Sequence, residues 1–548
     1  SSADPKLRAE AMRRLGDLNL EAGEVERAEQ EVAATDVLKN TEAIHLYTGL
    51  LKAYPQYPRN DVVLYQLARA YEANAQPEEA LGVLDRLVGK FPASRHFDEA
   101  EFRRGEILFS AKRYADAEQA YGTVIKFGAK SQFYEQSLYK HGWSLYKQAQ
   151  NEESLKSFGT LLDAKLIDQK TPGTMVEAKK LSRPDRELVD DTFRVFSITF
   201  SNLDGAKSID GYLAKQPQKP YSYLLYSHLG DLYIDKQRYT DAADAYRAFV
   251  AKDPNNEHAP ILEMQAIDAY KRGGFSALVL DGKKEFVEHY SLGTNFWQGR
   301  DPGAYPAIVK ELKTNVKDLA QYYHADAQKT KKPEAYAEAA RWYRSYLASF
   351  PNDPDAAGTN YLLADTLFES QQYRAAAQEY ERTAYAYPFH DKSDEAGFAA
   401  LVAYEKQETL LEGAPKAELH RQNIDSELKF ARTFPKHPQA NVVITRAAQQ
   451  IFDMNDLPRA VEVAHEVLAR QPPVDAQKQR SVWTIVGHSE FDLGHFDRSE
   501  AAYIEVQKLM PADDKDRQAI VERLASSIYK QGEQKNKGGD GEGAVTDF

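Results

Sequence analysis

The sequence predicts an all-α protein built as a solenoid, in which similar pairs of helices stack in a row. Small residues recur 37 positions apart at Ala68, Gly105 and Gly142. Twelve residues after each of these stands another small residue, and a large residue follows four positions later. A fixed period in this range is typical of units that bury their apolar faces only against their neighbours. The later small residues are Ala80, Ala117 and Ser154, and the large ones are Leu84, Tyr121 and Phe158.

Residues 1–164 form the first predicted array of helix pairs. Its first helix begins near Asp4-Pro5, since proline in a first helical turn loses no hydrogen bond. A later helix ends at Tyr54-Pro55, because proline disfavours the helical conformation of the residue before it. The segment before this point is either two overlapping units or one unit with a long helix. The three regular units follow within residues 61–162.

Two irregular stretches interrupt the repeats. Residues 165–184 contain two prolines among charged residues and are predicted to be an exposed insertion. Residues 185–290 resume as a second array, with a regular unit around Gly230 and Tyr246. Residues 291–308 form an irregular loop rich in aromatic residues, glycine and proline.

The carboxyl-terminal part of the sequence contains the third array, over residues 309–531, with regular units near Ala364 and Gly487. Residues 532–548, rich in glycine and lysine, are predicted to be a flexible loop that leads into the start of a helix at Phe548. We expect the native chain to continue there. The sequence starts with Ser1 rather than Met, which is typical of a processed or trimmed chain and leaves room for a signal or lipid anchor upstream.

Composition and motifs exclude several classes of function. The formal charge of −13 argues against a broad nucleic-acid-binding surface. The chain has no cysteine, so it forms no disulfides, thiolate metal sites or cysteine nucleophiles. No apolar run approaches the roughly 20 residues of a transmembrane helix. Phosphate-binding loops, zinc motifs and converging carboxylate pairs are also missing. We therefore expect a protein that is not an enzyme and uses no metal or cofactor.

The repeated unit resembles the tetratricopeptide repeat (TPR). That family has Gly or Ala in the first helix, then Ala and an aromatic residue in the second helix, and Pro at the end. The joint pattern recurs near Gly105, Gly230, Ala364 and Gly487, and the match covers most of the chain. The resemblance implies a right-handed superhelical solenoid of roughly a dozen helix pairs. It also implies a concave surface, lined by the first helices, that binds other proteins.

Several units are similar to the tyrosine-rich repeats of Gram-negative envelope proteins, as at Ala53-Tyr54-Pro55 and Ser349-Phe350-Pro351. This resemblance implies an interaction scaffold in a bacterial cell-envelope complex, in the periplasm or at the outer membrane, with other proteins of that complex as partners. Two alternatives stay open. One is an accessory module of a processing system or of a system that handles polysaccharide or peptidoglycan. The other is a cytoplasmic adaptor.

The concave surface implied by the resemblance supplies the candidate partner-binding groove. In all three regular units an aromatic residue stands three positions before the small residue. We expect these rings and the charges beside them to contact a peptide. The alternative is that the rings pack against neighbouring helices while the charges face solvent. The candidate groove residues are Tyr65, Arg69, Phe102, Arg103, Glu106, Tyr139, Lys140, Trp143 and Lys147.

The irregular loop at 291–308 supplies a second candidate contact. Phe296, Trp297 and Tyr305 lie there among glycines and prolines. Such a segment suits a loop that packs on the surface of the helices. The alternative is a contact with a partner.

Overall fold

The computed structural model describes residues 4–29, 34–168, 170–171, 173–511 and 513–547. In these ranges the ordered backbone is helical, apart from one isolated antiparallel bridge between Ile167 and Met175. The predicted all-α fold is therefore confirmed. The described residues contain 26 α-helices, and the short turns between consecutive helices make them pairs of antiparallel helices.

The chain divides into two compact units, Ser1–Val279 and Leu280–Phe548. In the first unit, each helix as far as Ala259–Arg272 packs against the next one in the chain. Its helices are α1 (Pro5–Glu29), α2 (Ala34–Ala53), α3 (Asn60–Ala73), α4 (Pro77–Lys90), α5 (Phe97–Ser110), α6 (Tyr114–Ile125), α7 (Tyr134–Lys147), α8 (Asn151–Leu166), α9 (Arg183–Asn202), α10 (Ala206–Ala214), α11 (Ser222–Asp235), α12 (Tyr239–Lys252), α13 (Ala259–Arg272) and the start of α14 (Ser276–Tyr290).

The second unit follows the same plan, with each helix packed on the next. After the end of α14 its helices are α15 (Pro306–Thr330), α16 (Pro333–Ser349), α17 (Ala356–Glu369), α18 (Tyr373–Tyr385), α19 (Ser393–Glu408), α20 (Gly413–Thr433), α21 (Ala440–Asp453), α22 (Leu457–Leu468), α23 (Ala476–Asp492), α24 (Phe496–Leu509), α25 (Arg517–Lys537) and α26 (Gly541–Asp547).

The periodic small residue creates the contact between the two helices of a pair. A Cβ atom added to Gly105 in α5 would lie only 2.6 Å from Cε1 of Tyr121 in α6. At Gly230 the corresponding distance to Cε1 of Tyr246 is 2.2 Å. The large residue of the second helix thus lies flat on the small residue of the first. Close approach of two helix axes needs this combination of a small and a large side chain.

The turn inside each pair also repeats. The residue seven positions after the small residue has a positive φ, 56° at Ala75, 61° at Lys112 and 82° at Gly494. In the second of these turns, the N–H of Arg113 donates to the carbonyl of Leu108 at 2.9 Å. This left-handed closure ends the first helix and reverses the chain.

Two longer connections separate runs of helices in the structure. Between α8 and α9 the chain forms the Ile167–Met175 bridge and an exposed loop, of which Pro172 lies outside the described residues. Before α15 it forms two short 3-10 turns, Asn295–Trp297 and Pro302–Ala304.

The predicted flexible loop at 532–548 is corrected by the structure. Residues 532–537 complete α25, and α26 occupies Gly541–Asp547. The glycine-rich composition favours a loop, but contacts with α24 and with the turn before it outweigh that local preference. Gln531 donates to Glu500 at 2.7 Å, Gln534 donates to the carbonyl of Gly494 at 3.0 Å, and Ala544 is buried. Phe548, where a further helix is predicted to begin, lies outside the described residues.

Candidate functional site

The nine candidate groove residues lie on three first helices of consecutive pairs. Tyr65 and Arg69 are on α3, and the helix after next, α5, carries Phe102, Arg103 and Glu106. The remaining four, Tyr139, Lys140, Trp143 and Lys147, are on α7. Their contacts show which of them remain open to a partner.

The aromatic rings of α3 and α5 stack on rings in the turn that leads to the next first helix. Tyr65 is 7% exposed, stacks on His96 at a centroid distance of 4.1 Å, and donates its hydroxyl to Glu99 Oε1 at 2.6 Å. Burial raises the pKa of Tyr65 to about 12, so the hydroxyl stays a neutral donor. Phe102 stacks on Phe133 at 4.9 Å and is only half-buried. These rings therefore join successive pairs, and Phe102 keeps one face open.

Arg103 on α5 and Lys140 on α7 each pair with a carboxylate on the preceding first helix, and Arg103 also pairs with Glu99 on its own helix. Arg103 Nη1 lies 2.7 Å from Glu72 Oε2, and Arg103 Nη2 lies 2.9 Å from Glu99 Oε1. Lys140 Nζ lies 3.1 Å from Glu106 Oε2. Each pair is partly exposed, so it contributes at most about 1 kcal/mol to stability. Its main effect is to fix the orientation of the side chains.

The other charged and aromatic candidates are also engaged within the chain. Arg69 is paired with Glu24 and packs beside the ring of Tyr65. Lys147 Nζ lies 5.7 Å from the ring centroid of Trp143, which meets Tyr139 edge-on.

Glu106 takes part in a hydrogen bond between the two helices of a pair, and this bond recurs along the chain. In several pairs the residue after the small residue is acidic, and it accepts a hydrogen bond from a tyrosine 15 positions later in the second helix. The two helices are thereby joined at the surface as well as in the core. The sequence signal is an acidic residue next to the small one, and the spacing of small and large residues does not reveal it. The pairs are Tyr121 with Glu106 at 2.5 Å, Tyr246 with Asp231 at 2.7 Å, and Tyr380 with Asp365 at 2.5 Å.

A cleft of about 600 Å³ runs along α5 and is the candidate binding site. We call it the α5 cleft. This volume falls within the range of about 300–1,000 Å³ that is usual for ligand pockets. The apolar part of the wall consists of aromatic and aliphatic side chains, and the charged part consists of three carboxylates and one guanidinium. The principal lining residues are Phe102, Phe133, Arg103, Glu72, Glu78 and Glu106.

The structure thus brings together three of the nine predicted residues, Phe102, Arg103 and Glu106. Glu72, Glu78 and Phe133 complete the wall but are absent from the sequence-based set. A ring 31 positions after the groove aromatic would have pointed to Phe133, because His96 stands in the same relation to Tyr65.

Tyr139 lies apart from the α5 cleft. It lines a separate shallow depression between α7 and α9, together with Asp190, Asp191 and Arg194. Its hydroxyl donates to Asp191, and burial raises the pKa of Tyr139 to about 12. Tyr139 therefore links α7 to α9.

The second candidate contact, in the loop at 291–308, is packed into the protein. Phe296 is 1% exposed and Trp297 is 7% exposed. The indole N–H of Trp297 donates to the carbonyl of Tyr290 at 2.9 Å, and Phe296 meets the Tyr290 ring edge-on. In this structure the two rings present almost no surface to a partner. Tyr305 is partly exposed and packs edge-on against both rings.

Comparison with protein families identifies the repeat. Residues 39–98 and residues 203–257 each match a tetratricopeptide repeat family. The protein contains TPRs. The first match includes α3 and α4 and hence part of the α5 cleft, and the second includes α11 and α12. The TPR is an interaction module, so the repeats support a role in protein–protein interaction.

The comparison with solved structures gives TPR proteins at low similarity. The C-terminal part of a TPR repeat-containing protein from Cytophaga hutchinsonii is 15% identical, with 54% of this chain and 98% of that chain covered and a TM-score of 0.22. A TPR protein from Parabacteroides merdae is 15% identical, with 55% and 99% covered and a TM-score of 0.26. The comparison with curated proteins gives no match.

Two further properties bear on the class of protein. In the part of the chain that the structure describes, every helix is too short or too polar to cross a membrane. Over the same ranges, no three His, Asp or Glu side chains converge as ligands for a metal ion.

Proposed function

We propose that this TPR protein is a non-catalytic scaffold that holds a segment of a partner protein in the α5 cleft. The observation that carries the proposal is the cleft itself, an open groove with an apolar wall at Phe102 and Phe133 and a charged wall at Glu72 and Arg103. Partner segments in such grooves are anchored by apolar and aromatic side chains, and polar groups set their orientation.

The wall of the α5 cleft is already in place without a partner. Stacking on Phe133 holds Phe102, two carboxylates hold Arg103, and the Tyr121 hydroxyl holds Glu106. Side chains that are fixed before binding lose little conformational entropy when a partner arrives. The fixed positions of these side chains favour the α5 cleft as the binding site over the more open depression at Tyr139.

Site-specific photocrosslinking in native cells tests the proposal. Ser110 lines the α5 cleft and is exposed, so a photoreactive residue there should not disturb packing. Gly82 on α4 is the matched control, because it is exposed and has no atom within 4 Å of an added Cβ. We expect a discrete protein adduct from position 110 and none from position 82. Equal adducts from both positions, or none from position 110, would refute binding in the cleft.

For the location, we propose a cell-envelope complex, in the periplasm or at the outer membrane. The support is the resemblance of segments such as Ala53-Tyr54-Pro55 to tyrosine-rich repeats of envelope proteins. Fusions of the natural gene product to alkaline phosphatase and to a green fluorescent protein separate the compartments. Phosphatase activity is expected, whereas fluorescence without phosphatase activity would favour the cytoplasmic adaptor instead.

A further inference from the structure

The charges of the α5 cleft are unequal. Its wall contains the carboxylates of Glu72, Glu78 and Glu106 and one cation, Arg103. When the groups that pair with Arg103 and Glu106 from outside the wall, Glu99 and Lys140, are included, carboxylates still outnumber cations by four to two. The formal charge of the whole chain, −13, has the same sign. A cleft with low-dielectric walls concentrates its own field, so this excess of negative charge favours cationic segments and repels anionic ones.

Arg103 is not available to an incoming anion. Its Nη1 is bonded to Glu72, and its Nε and Nη2 are both bonded to Glu99 Oε1 at 3.1 and 2.9 Å. Its guanidinium carbon also lies 5.9 Å from the centroid of the Tyr65 ring. An anionic partner would have to displace a carboxylate of the protein itself to reach this group.

Glu78 is the carboxylate of the cleft that is left for a ligand. It is exposed in the first turn of α4, and its carboxylate makes no hydrogen bond or ion pair with another described residue. A first-turn carboxylate also stabilises its own helix through the helix dipole. Glu79, beside it, has the same position relative to the dipole but does not line the cleft. A comparison of substitutions at the two glutamates therefore separates an effect on the helix from an effect on binding.

A partner segment that reaches Glu78 also reaches the apolar wall of the α5 cleft. Phe102 and Phe133 stack at 4.9 Å and form a continuous surface, which Ile107 and Pro77 extend along the cleft. An aliphatic or aromatic side chain buries its apolar area there, and removal of that area from water favours binding.

We infer that the occupant of the α5 cleft is a protein segment with an apolar side chain next to lysine or arginine. The apolar side chain packs on Phe102 and Phe133, and the cation pairs with Glu78. This inference rests on the proposed function of the cleft and adds the chemistry of the partner.

Selection from a random 12-residue peptide display library on the immobilised full-length chain tests the inference. Four proteins are compared: wild type, Glu78→Lys, Glu79→Lys as the control for the helix dipole, and Phe102→Ser as the control for the cleft. We expect enriched peptides with Lys or Arg beside an aliphatic or aromatic residue. Glu78→Lys should weaken their binding by about three- to tenfold, as expected for reversal of one exposed charge, and added salt should reduce that difference. Glu79→Lys should bind as wild type does.

The outcomes separate the chemistry of the partner from the location of the binding site. Enriched acidic or uncharged peptides, or equal binding to wild type and Glu78→Lys, would overturn the cationic partner. If those peptides still lost binding to Phe102→Ser, the cleft would stand as the binding site. Failure to enrich any peptide, or binding unaffected by Phe102→Ser, would overturn the cleft and the inference together. Circular dichroism of all four proteins checks that helix content is the same.

Discussion

Replacement of Gly105 by alanine tests the contact that defines the repeat. The new Cβ would lie 2.6 Å from Tyr121 Cε1. The ring cannot move away easily, because its hydroxyl is bonded to Glu106 and its outer side faces Phe102 at 6.0 Å. Overpacking of this kind costs about 1–3 kcal/mol. It opposes the gain of about 1 kcal/mol that alanine brings over glycine inside a helix.

Gly82→Ala is the matched control for this prediction. Gly82 lies in the neighbouring helix α4, and an added Cβ there has no atom within 4 Å. We therefore expect Gly82→Ala to stabilise α4 by about 1 kcal/mol, as alanine's helix propensity predicts. Gly105→Ala should be less stable than Gly82→Ala by about the overpacking cost of 1–3 kcal/mol.

Hydrogen exchange measured by mass spectrometry is the suitable assay. Each unit of a repeat array contacts only its neighbours, so local opening reports the change better than a global unfolding curve. Peptides from α5 and α6 should exchange faster in Gly105→Ala than in the wild-type protein. Gly82→Ala should slow exchange in α4. If Gly105→Ala slowed exchange in α5 by as much, the proposed ring contact would be refuted.

Three further predictions concern other parts of the chain. Burial raises the pKa of Glu427 from 4.5 to about 7 despite the nearby Arg446, so the folded state binds the proton more tightly than the unfolded state does. Stability should therefore fall as pH rises from about 4.5 to 7. Glu427→Gln should make the thermal unfolding midpoint less dependent on pH over that range. Lys112→Gly should stabilise the α5–α6 turn by up to about 1 kcal/mol in hydrogen exchange, because φ at Lys112 is 61°. Tyr139→Phe removes the hydrogen bond to Asp191 and should destabilise the α7–α9 contact by about 1 kcal/mol while peptide binding in the α5 cleft stays unchanged.

The helix pairs could be predicted because their signals are local in the sequence. Gly105 and Tyr121 are 16 residues apart, and one turn joins the helices that carry them. The interruptions at 165–184 and 291–308 are visible for the same reason, since proline and glycine act on their own backbone. The turn that closes each first helix has a weaker signal in the sequence. Lys112 adopts a left-handed conformation that its residue type disfavours, and the packing of the flanking helices imposes it.

The candidate site could be predicted only in part. The spacing of the aromatic residues predicts Phe102 and Tyr65 equally as groove residues. In the structure His96 covers the ring of Tyr65, whereas Phe102 stays half-buried. Glu78 has no distinguishing signal, because any first-turn glutamate satisfies the helix dipole. Its place in the cleft depends on how α4 and α5 pack.

The sequence by itself determined the all-α class, the pairing of consecutive helices and the repeat of about 37 residues. These follow from side-chain size and backbone preferences that act over one helix and one turn. Only the tertiary structure decided which surface side chains are available to a partner. Arg103 has carboxylates within reach on two helices, whereas Glu78 forms no ion pair with another described residue. The pair of Arg103 with Glu72 joins residues 31 positions apart, and periodicity does not encode the distance between them.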